Sequence, residues 1–317
     1  MNGSSGSAGE ERTRVVDDGI RELRGRRPAQ PRECNDRGRD SGSGVMKALI
    51  RATFNAAAKH FDDAALFFWD QCGTRTVELA GVEPGNRVLD VCCGTGASAL
   101  PAARRDGPTG RVVGVDLAEQ LLVRARAKAR ERGLDNVEFA EGDMTRLDVA
   151  DNSMDVVVCV LGLYFAQDQP SAVAELWRAV RPGGTLAVTT WGQRALEPAN
   201  TMYLETVAAE RPDLDLDLDL DARHATIWGR LDEPAALTKV FLEAGASVPT
   251  IVQETMAHPL SADDFWTVVL GSGYRVAVDA IGPDAADRVR TALRLRMEQE
   301  RVEELIADVM YARARKD

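Results

Sequence analysis

Short apolar runs and longer amphipathic stretches follow one another from about residue 46 onward. The short runs are rich in valine and predict buried strands, whereas apolar residues recurring every three or four positions predict helices. Because the two patterns alternate through the middle of the chain, they predict an α/β fold with helices on both faces of a mostly parallel sheet.

The pattern predicts seven strands, each ended by turn residues. They are Arg87–Cys92, Val112–Asp116, Val137–Glu141, Met154–Leu161, Thr185–Trp191, Val248–Met256 and Ile306–Ala312. Helices are predicted over 46–60, 65–81, 97–105, 119–132, 169–180 and 233–243. Gly133 and Gly245 stand where two of these helices should end, as is typical of helix C-termini.

Residues 1–45 differ from the rest of the chain in composition. Gly, Ser, Arg, Asp and Glu dominate there, and no apolar face repeats, so we expect a disordered extension. The segment has no hydrophobic core of a secretory signal, and its many acids argue against a transit peptide.

Composition narrows the classes of function. The 317 residues carry a net charge of −11, which disfavours nucleic acid and anionic membranes as partners. No apolar run is long enough to span a membrane. The five cysteines, at positions 34, 72, 92, 93 and 159, show neither metal-ligand spacing nor a disulfide framework. We therefore expect a cytoplasmic enzyme without a metal that acts on a small molecule, of unknown oligomeric state.

A glycine turn carries most of the chemical information. The first predicted strand has Asp90 near its end and runs through Cys92 into Gly94-Thr95-Gly96, and a helix of small residues begins directly afterwards. Glycines permit a sharp turn and close approach of the backbone to a ligand, and the helix N-terminus offers unpaired N–H groups. Such a unit typically holds a cofactor that contains a nucleoside.

Acidic residues end or follow three consecutive strands beside this turn. Asp90 precedes the glycines, where a carboxylate would attract an amino group and repel a pyrophosphate. Asp116 lies about twenty residues beyond them, the spacing of a carboxylate that accepts from ribose hydroxyls. Asp143 follows the third strand and could accept from the amine of adenine. The pattern thus favours an amino-acid nucleoside over a dinucleotide, although Gly94, Gly96 and Ala99 also fit a dinucleotide-binding motif.

From about Phe54 to Trp191 the chain resembles the class I S-adenosylmethionine-dependent methyltransferases, within which it looks closest to the ubiquinone and menaquinone C-methyltransferases and similar small-molecule enzymes. The resemblance rests on Val88–Gly96, Val113–Asp116, Glu141–Met144, Asp155–Leu163 and Glu175–Gly184. Cys92 departs from the family pattern, which has glycine at that position.

The resemblance implies S-adenosylmethionine as cofactor and a Rossmann-like sheet. It also implies roles for particular residues. The methionine part would face Asp90 and the turn of Cys92, Gly94, Thr95 and Gly96. The ribose would bind Asp116, the adenine would lie against Leu117, Gly142, Asp143 and Met144, and Val160 would lie beneath the sulfonium.

We expect four regions: the extension at 1–45, N-terminal lid helices at 46–81, a cofactor-binding core at 82–191, and the rest of the sheet at 192–317. Ligands of such sheets bind beyond the carboxyl ends of the strands. The insertions 192–232 and 257–303 leave strands at that edge, so we expect them to form a helical substrate lid with the N-terminal helices. The repeat Asp213–Asp221, in which Asp and Leu alternate, reads as a solvated loop.

Catalysis requires alignment of the acceptor with the methyl group and, for a neutral hydroxyl or a carbon nucleophile, a base. His258, directly after the sixth strand, and Tyr164, after the fourth, are the candidate catalytic residues. His224 is a further candidate base, and Arg275 could bind an acidic group of the substrate.

The expected function is S-adenosylmethionine-dependent methyl transfer to a small molecule, on oxygen, nitrogen or carbon, in secondary metabolism or on a quinone-like acceptor. Two alternatives stay open: a nicotinamide-dependent oxidoreductase, and a non-catalytic or cyclase protein with the methyltransferase fold.

Overall fold

A computed structural model describes residues 40–213 and 231–317 of the chain. Its centre is a seven-stranded sheet in the order β3-β2-β1-β4-β5-β7-β6. The strands are β1 Arg87–Val91, β2 Arg111–Asp116, β3 Val137–Glu141, β4 Met154–Val160, β5 Val180–Trp191, β6 Thr250–Pro259 and β7 Glu304–Arg315. All neighbours pair in parallel except β7, which is antiparallel to β5 and β6. The predicted fold class is confirmed.

Helices cover the sheet and extend beyond its edge. In the described part of the chain they are α1 Asp40–Ala57, α2 Phe68–Ala80, α3 Ala99–Asp106, α4 Glu119–Glu131, α5 Gln169–Ala179, α6 Ala199–Glu210, α7 Pro234–Glu243, α8 Ala262–Leu270, α9 Arg275–Ile281 and α10 Pro283–Glu300. Short 3₁₀ turns lie at Ala64–Leu66 and Leu163–Phe165.

Alternation along β1 divides its side chains between two cores. Leu89 and Val91 belong to a core that also contains residues of β4, β5 and α5. Val88 belongs to a second core with residues of α3 and α4. Because successive side chains of a strand point to opposite faces, Asp90 lies on the same face as Val88.

The later helices build a separate apolar core. Buried residues of α6, α8, α9 and α10 pack together and reach Ala65, Leu66 and Phe68. The described parts of the two predicted insertions therefore pack against the N-terminal segment.

Several boundaries differ from the prediction, among them those of α1, β6 and β5. Residues 40–45, which we expected to be disordered, belong to α1, while residues 1–39 lie outside the described part. β6 extends to Pro259 because it remains paired with an equally long β7, as far as Glu304. β5 begins at Val180, with an irregular register against β4 between Met154 and Val156.

Within residues 40–213 and 231–317, no helix is both long enough and apolar enough to cross a membrane.

Candidate functional site

A cavity of about 290 Å³ lies at the carboxyl ends of β1, β2, β3 and β4. Its wall combines the glycine turn, the turns after the next strands and the N-terminal segment. The lining residues are Met46, Lys47, Ile50, Phe54, Phe61, Trp69, Cys92, Cys93, Gly94, Ala97, Ser98, Asp116, Leu117, Leu121, Gly142, Asp143, Met144, Thr145, Val160, Leu161, Gly162, Phe165, Ala166, Gln167, Asp168 and Ser171.

The glycine turn forms one side of the cavity with unusual backbone angles. Gly94 has φ of 53° and Gly96 of 89°, and a Cβ on Gly94 would lie 3.2 Å from the Phe61 ring. Cys92 takes φ of 61° although it has a side chain, which costs about 1–2 kcal/mol relative to an ordinary backbone conformation. Its side chain requires glycine at position 162, where a Cβ would lie 2.5 Å from that of Cys92.

Asp116 stands at the end of β2 and is fixed by backbone donors. The Gly94 amide donates to its Oδ2 and the Ala118 amide to its Oδ1, each at 2.9 Å. Burial raises the pKa of Asp116, against these opposing hydrogen bonds. A carboxylate has about four acceptor positions, so both oxygens can still accept from a ligand.

Asp143, in the turn after β3, is a further carboxylate of the cavity wall. Its Oδ1 accepts from the Thr145 amide and hydroxyl, each at 2.8 Å, and its Oδ2 lies 2.7 Å from the Lys47 ammonium. Burial opposes ionisation, but the hydrogen bonds from Lys47 and Thr145 hold the pKa of Asp143 below its ordinary value. Asp143 is therefore an ionised acceptor at the cavity wall.

Aromatic rings dominate another part of the wall. Phe54 meets Phe165 edge-on at 5.1 Å and Phe61 at 6.3 Å between ring centroids. Phe61 in turn stacks on Trp69 at 5.0 Å, with 3° between the ring planes. We call Phe54, Phe61, Trp69 and Phe165 the aromatic wall; it joins α1, the segment before α2, α2 itself and the turn after β4.

The structure brings together most of the predicted cofactor residues. Eight of them line the cavity: Cys92, Gly94, Asp116, Leu117, Gly142, Asp143, Met144 and Val160.

Asp90, Thr95 and Gly96 are not part of the wall. Asp90 has no exposed surface and accepts from the Ser98 hydroxyl at 2.6 Å, beneath the turn. Direct contact between Asp90 and a ligand, as the sequence suggests, is therefore incompatible with this arrangement. Thr95 instead donates to Asp62 at 2.5 Å, which ties the turn to the N-terminal segment.

Neither candidate base lies at the cavity wall. Tyr164 is 5% exposed, and its hydroxyl is hydrogen-bonded to the backbone of Trp191 at the end of β5. Burial raises the pKa of Tyr164. His258 lies within β6 rather than after it, paired with Leu305, and its ring stacks on Phe67 at 3.9 Å. In this structure, Tyr164 and His258 therefore contact neighbouring residues of the fold rather than the cavity.

The remaining candidates lie elsewhere. Arg275 is ion-paired with Asp279 within α9, 3.2 Å away, and does not line the cavity. His224 and the repeat from position 214 onward lie outside the described residues. Asp213, the first residue of the repeat, is paired with Arg211.

Sequence reasoning missed the contribution of α1. Met46, Ile50 and Phe54 recur every four residues, which places them on one helical face, and all three line the cavity. This spacing was visible in the sequence. That the face meets the cavity, however, depends on contacts between segments far apart in the chain.

Comparisons with known proteins agree with this site. Residues 88–184 match the family described as a methyltransferase domain. An uncharacterized protein of Mycobacterium tuberculosis is 39% identical over 158 residues, 50% of this chain and 54% of that protein. The demethylmenaquinone methyltransferase of Listeria welshimeri is 40% identical over 112 residues, 35% of this chain and 48% of that enzyme. The chain thus spans about half the length of these curated relatives.

Solved structures show the same fold at low sequence identity. The YcgJ protein of Bacillus subtilis aligns with a TM-score of 0.52 and 16% identity, covering 78% of this chain and 99% of that one. The [4+2]-cyclase SpnF aligns with a TM-score of 0.51 and 21% identity, covering 86% and 95%. The sheet order, the glycine turn and the family match over residues 88–184 lead to one conclusion: this chain carries a class I S-adenosylmethionine-dependent methyltransferase domain.

Proposed function

We propose that the protein transfers a methyl group from S-adenosylmethionine to an apolar, planar small molecule. One observation carries the proposal: the same cavity has ionised or backbone-fixed carboxylates, Asp116 and Asp143, and the aromatic wall. The carboxylates suit the nucleoside of the cofactor, and the aromatic wall suits an acceptor with a ring system.

The residues present fit this cofactor. Asp116 keeps acceptor capacity on both oxygens for the two ribose hydroxyls. Asp143 can accept from the adenine amine, between Met144 on its own turn and Leu117 after β2. Gly94 lets the backbone turn at the cavity wall, where a Cβ would lie 3.2 Å from the Phe61 ring.

The bound cofactor would supply an activated methyl group on a sulfonium. The chain's own residues would then align the acceptor and keep water away from it. Holding two reactants in line can supply up to about 7–11 kcal/mol of the barrier reduction. The aromatic wall is suited to both tasks, because its rings are apolar and are fixed by contact with one another.

The relatives support the acceptor class. One of them is named a demethylmenaquinone methyltransferase, and a quinone-like ring is both planar and apolar. We propose such a ring, or a comparable aromatic intermediate of secondary metabolism, as the acceptor. We propose the cytoplasm as its location, where the free thiols of Cys92 and Cys93 stay reduced.

The SpnF alignment supports a second candidate, since it shows that this fold also serves a [4+2]-cyclase. Cofactor binding alone cannot separate the two, because the cofactor residues would be the same in both.

Two measurements test the proposal in sequence. Calorimetry should show binding of S-adenosylhomocysteine and no comparable binding of NAD(H). Incubation with isotopically methyl-labelled S-adenosylmethionine and a panel of quinols, phenols and amines should then transfer label to an aromatic acceptor. Preference for NAD(H) would overturn the methyltransferase proposal in favour of an oxidoreductase. Binding without transfer to any acceptor would favour a cyclase or binding role.

A further inference from the structure

α1 presents two parallel stripes of side chains. Met46, Ile50 and Phe54 face the cavity. The residue after each of them, Lys47, Arg51 and Asn55, contacts the rim of the sheet. Both stripes have the spacing of four that places residues on one face of a helix.

The second stripe holds α1 against the sheet and α4 through three residues. The Lys47 ammonium lies 2.7 Å from Asp143 Oδ2 and donates to the Thr145 hydroxyl at 3.0 Å. The Arg51 guanidinium lies 2.7 Å from Glu141 Oε1. Asn55 accepts from the Gln120 amide at 2.9 Å, at the start of α4.

These contacts differ in their relation to the cavity. Lys47 and Asp143 both line it, whereas Arg51 and Glu141 do not. Both ion pairs have a closest distance of 2.7 Å and partly exposed side chains; Arg51 contacts the end of β3, and Lys47 contacts the turn after it. Exposed pairs contribute little to stability by themselves, about 0–1 kcal/mol.

Asp143 has one acceptor position left. Of about four positions on a carboxylate, Thr145 occupies two on Oδ1 and Lys47 occupies one on Oδ2. The remaining position on Oδ2 is the one that a ligand amine can use. Thr145 and Lys47 hold the carboxylate from both sides, so the direction of that position is fixed.

We propose that Lys47 is a positioning residue for the nucleoside of the cofactor: it orients Asp143 as a single-site acceptor for the adenine amine and thereby makes α1 part of the adenine pocket. This inference rests on the proposed function, because it requires that the cofactor bind with its adenine at Asp143. It assigns different roles to two ion pairs on the same helix.

Charged groups on several elements face Asp143. Lys47 comes from α1, where Arg51 stands one turn later, paired with Glu141. Arg146 shares the turn of Asp143 and donates its backbone amide to the Asp143 carbonyl. Asp168, before α5, also lines the cavity and is hydrogen-bonded to Ser171. Lys47 is the cation in direct contact with the Asp143 carboxylate, so its removal should raise the pKa of Asp143.

The test compares Lys47→Met with Arg51→Met in the full chain. Methionine keeps the apolar stem in each case and removes the charge. Calorimetry with S-adenosylhomocysteine should show about a tenfold loss of affinity for Lys47→Met and less than about threefold for Arg51→Met. Only the first substitution removes a charged hydrogen bond that orients Asp143 toward the ligand. Lys47→Arg, which keeps a cation within reach, should restore most of the affinity.

The pH dependence of the affinity distinguishes two roles of Lys47: orienting Asp143, or only holding α1 in place. As pH falls, a protonated Asp143 can no longer accept through both oxygens, so affinity should decline at a higher pH in Lys47→Met than in the wild type or Arg51→Met. Equal losses in both variants, with no displacement of the pH profile, would show that Lys47 only fastens α1 and would overturn the inference. If the wild type binds no S-adenosylhomocysteine, the proposed function itself fails and the inference fails with it.

Discussion

The polar and aromatic ends of the cavity are built by different means. At the polar end, Asp116 and Asp143 accept from backbone amides within a few residues or on the adjacent strand turn. At the aromatic end, Phe54, Phe61, Trp69 and Phe165 come from segments up to about 110 residues apart and pack through ring contacts with one another. Apart from the contact of Lys47 with Asp143, the polar end therefore depends on local geometry, whereas the aromatic end depends on how distant segments pack.

This difference bears on how specificity can change. The backbone amides that donate to Asp116 and Asp143 stay in place when side chains are substituted, so these contacts tolerate little change. Phe54 on α1 packs against a small cluster with Phe61, Ala118 and Leu121 rather than against the core of the sheet, so its size can change with less effect on the sheet. We infer that the polar end fixes the cofactor and that the aromatic end determines the acceptor.

The largest expected effect concerns Asp90, which lies near the end of β1 on the face that packs against α3 and α4. Burial raises the pKa of Asp90 to about 7. Between the ordinary pKa near 4 and this value, the folded chain binds a proton that the unfolded chain has released, so the free energy of unfolding decreases as pH rises. The contribution amounts to about 4 kcal/mol at most, at 1.36 kcal/mol per pKa unit.

Asp90→Asn should remove that contribution. Denaturant unfolding at a series of pH values should show the free energy of unfolding of the variant rising relative to the wild type from about pH 4 to about pH 7. A difference between the two proteins that stays constant over this range would show that Asp90 is ionised in the folded state.

Asp116→Ala is the next largest change and tests the polar end directly. Loss of two ribose contacts should weaken binding of S-adenosylhomocysteine by roughly 2–4 kcal/mol, about thirty- to a thousand-fold. Glu131→Ala removes the same charge from the exposed end of α4 and serves as control. Unchanged affinity in Asp116→Ala, with the fold intact by circular dichroism, would mean that the ribose is held elsewhere.

The contrast between the two ends also explains what the sequence could predict. The glycine turn, Asp116 and Asp143 follow from local spacing, because each lies at the end of a strand recognisable from its own residues. The burial of Asp90 could have been inferred from alternation with Val88, which faces α3. The edge-on contact of Phe54 with Phe165 and the extension of β6 past His258 could not, because both depend on long-range partners.

Phe54→Ala tests the aromatic end. The substitution removes the ring between Phe61 and Phe165, so an acceptor should be held less firmly. We expect kcat to fall about ten- to a hundredfold, equivalent to about 1–3 kcal/mol, while affinity for S-adenosylhomocysteine changes less than about threefold.

Phe67→Ala is the matched control, since Phe67 belongs to the same N-terminal segment but stacks on His258 outside the cavity wall. For both variants, labelled methyl transfer measures kcat and calorimetry measures the affinity for S-adenosylhomocysteine. Loss of cofactor affinity in Phe54→Ala as large as that in Asp116→Ala would contradict the separation of the two ends.

The smallest expected effect concerns His258, which the sequence suggests as the base. General bases contribute about 10²–10⁴ in rate, but they must reach the acceptor, and His258 lies in β6 against Phe67 rather than at the wall. We therefore expect His258→Ala to lower kcat for a neutral hydroxyl acceptor by less than about threefold. Labelled methyl transfer near pH 7 measures this directly. A loss of a hundredfold or more, with cofactor affinity unchanged, would show that His258 reaches the acceptor after a rearrangement of the segment around Phe67, and the acceptor end would then extend beyond the aromatic wall.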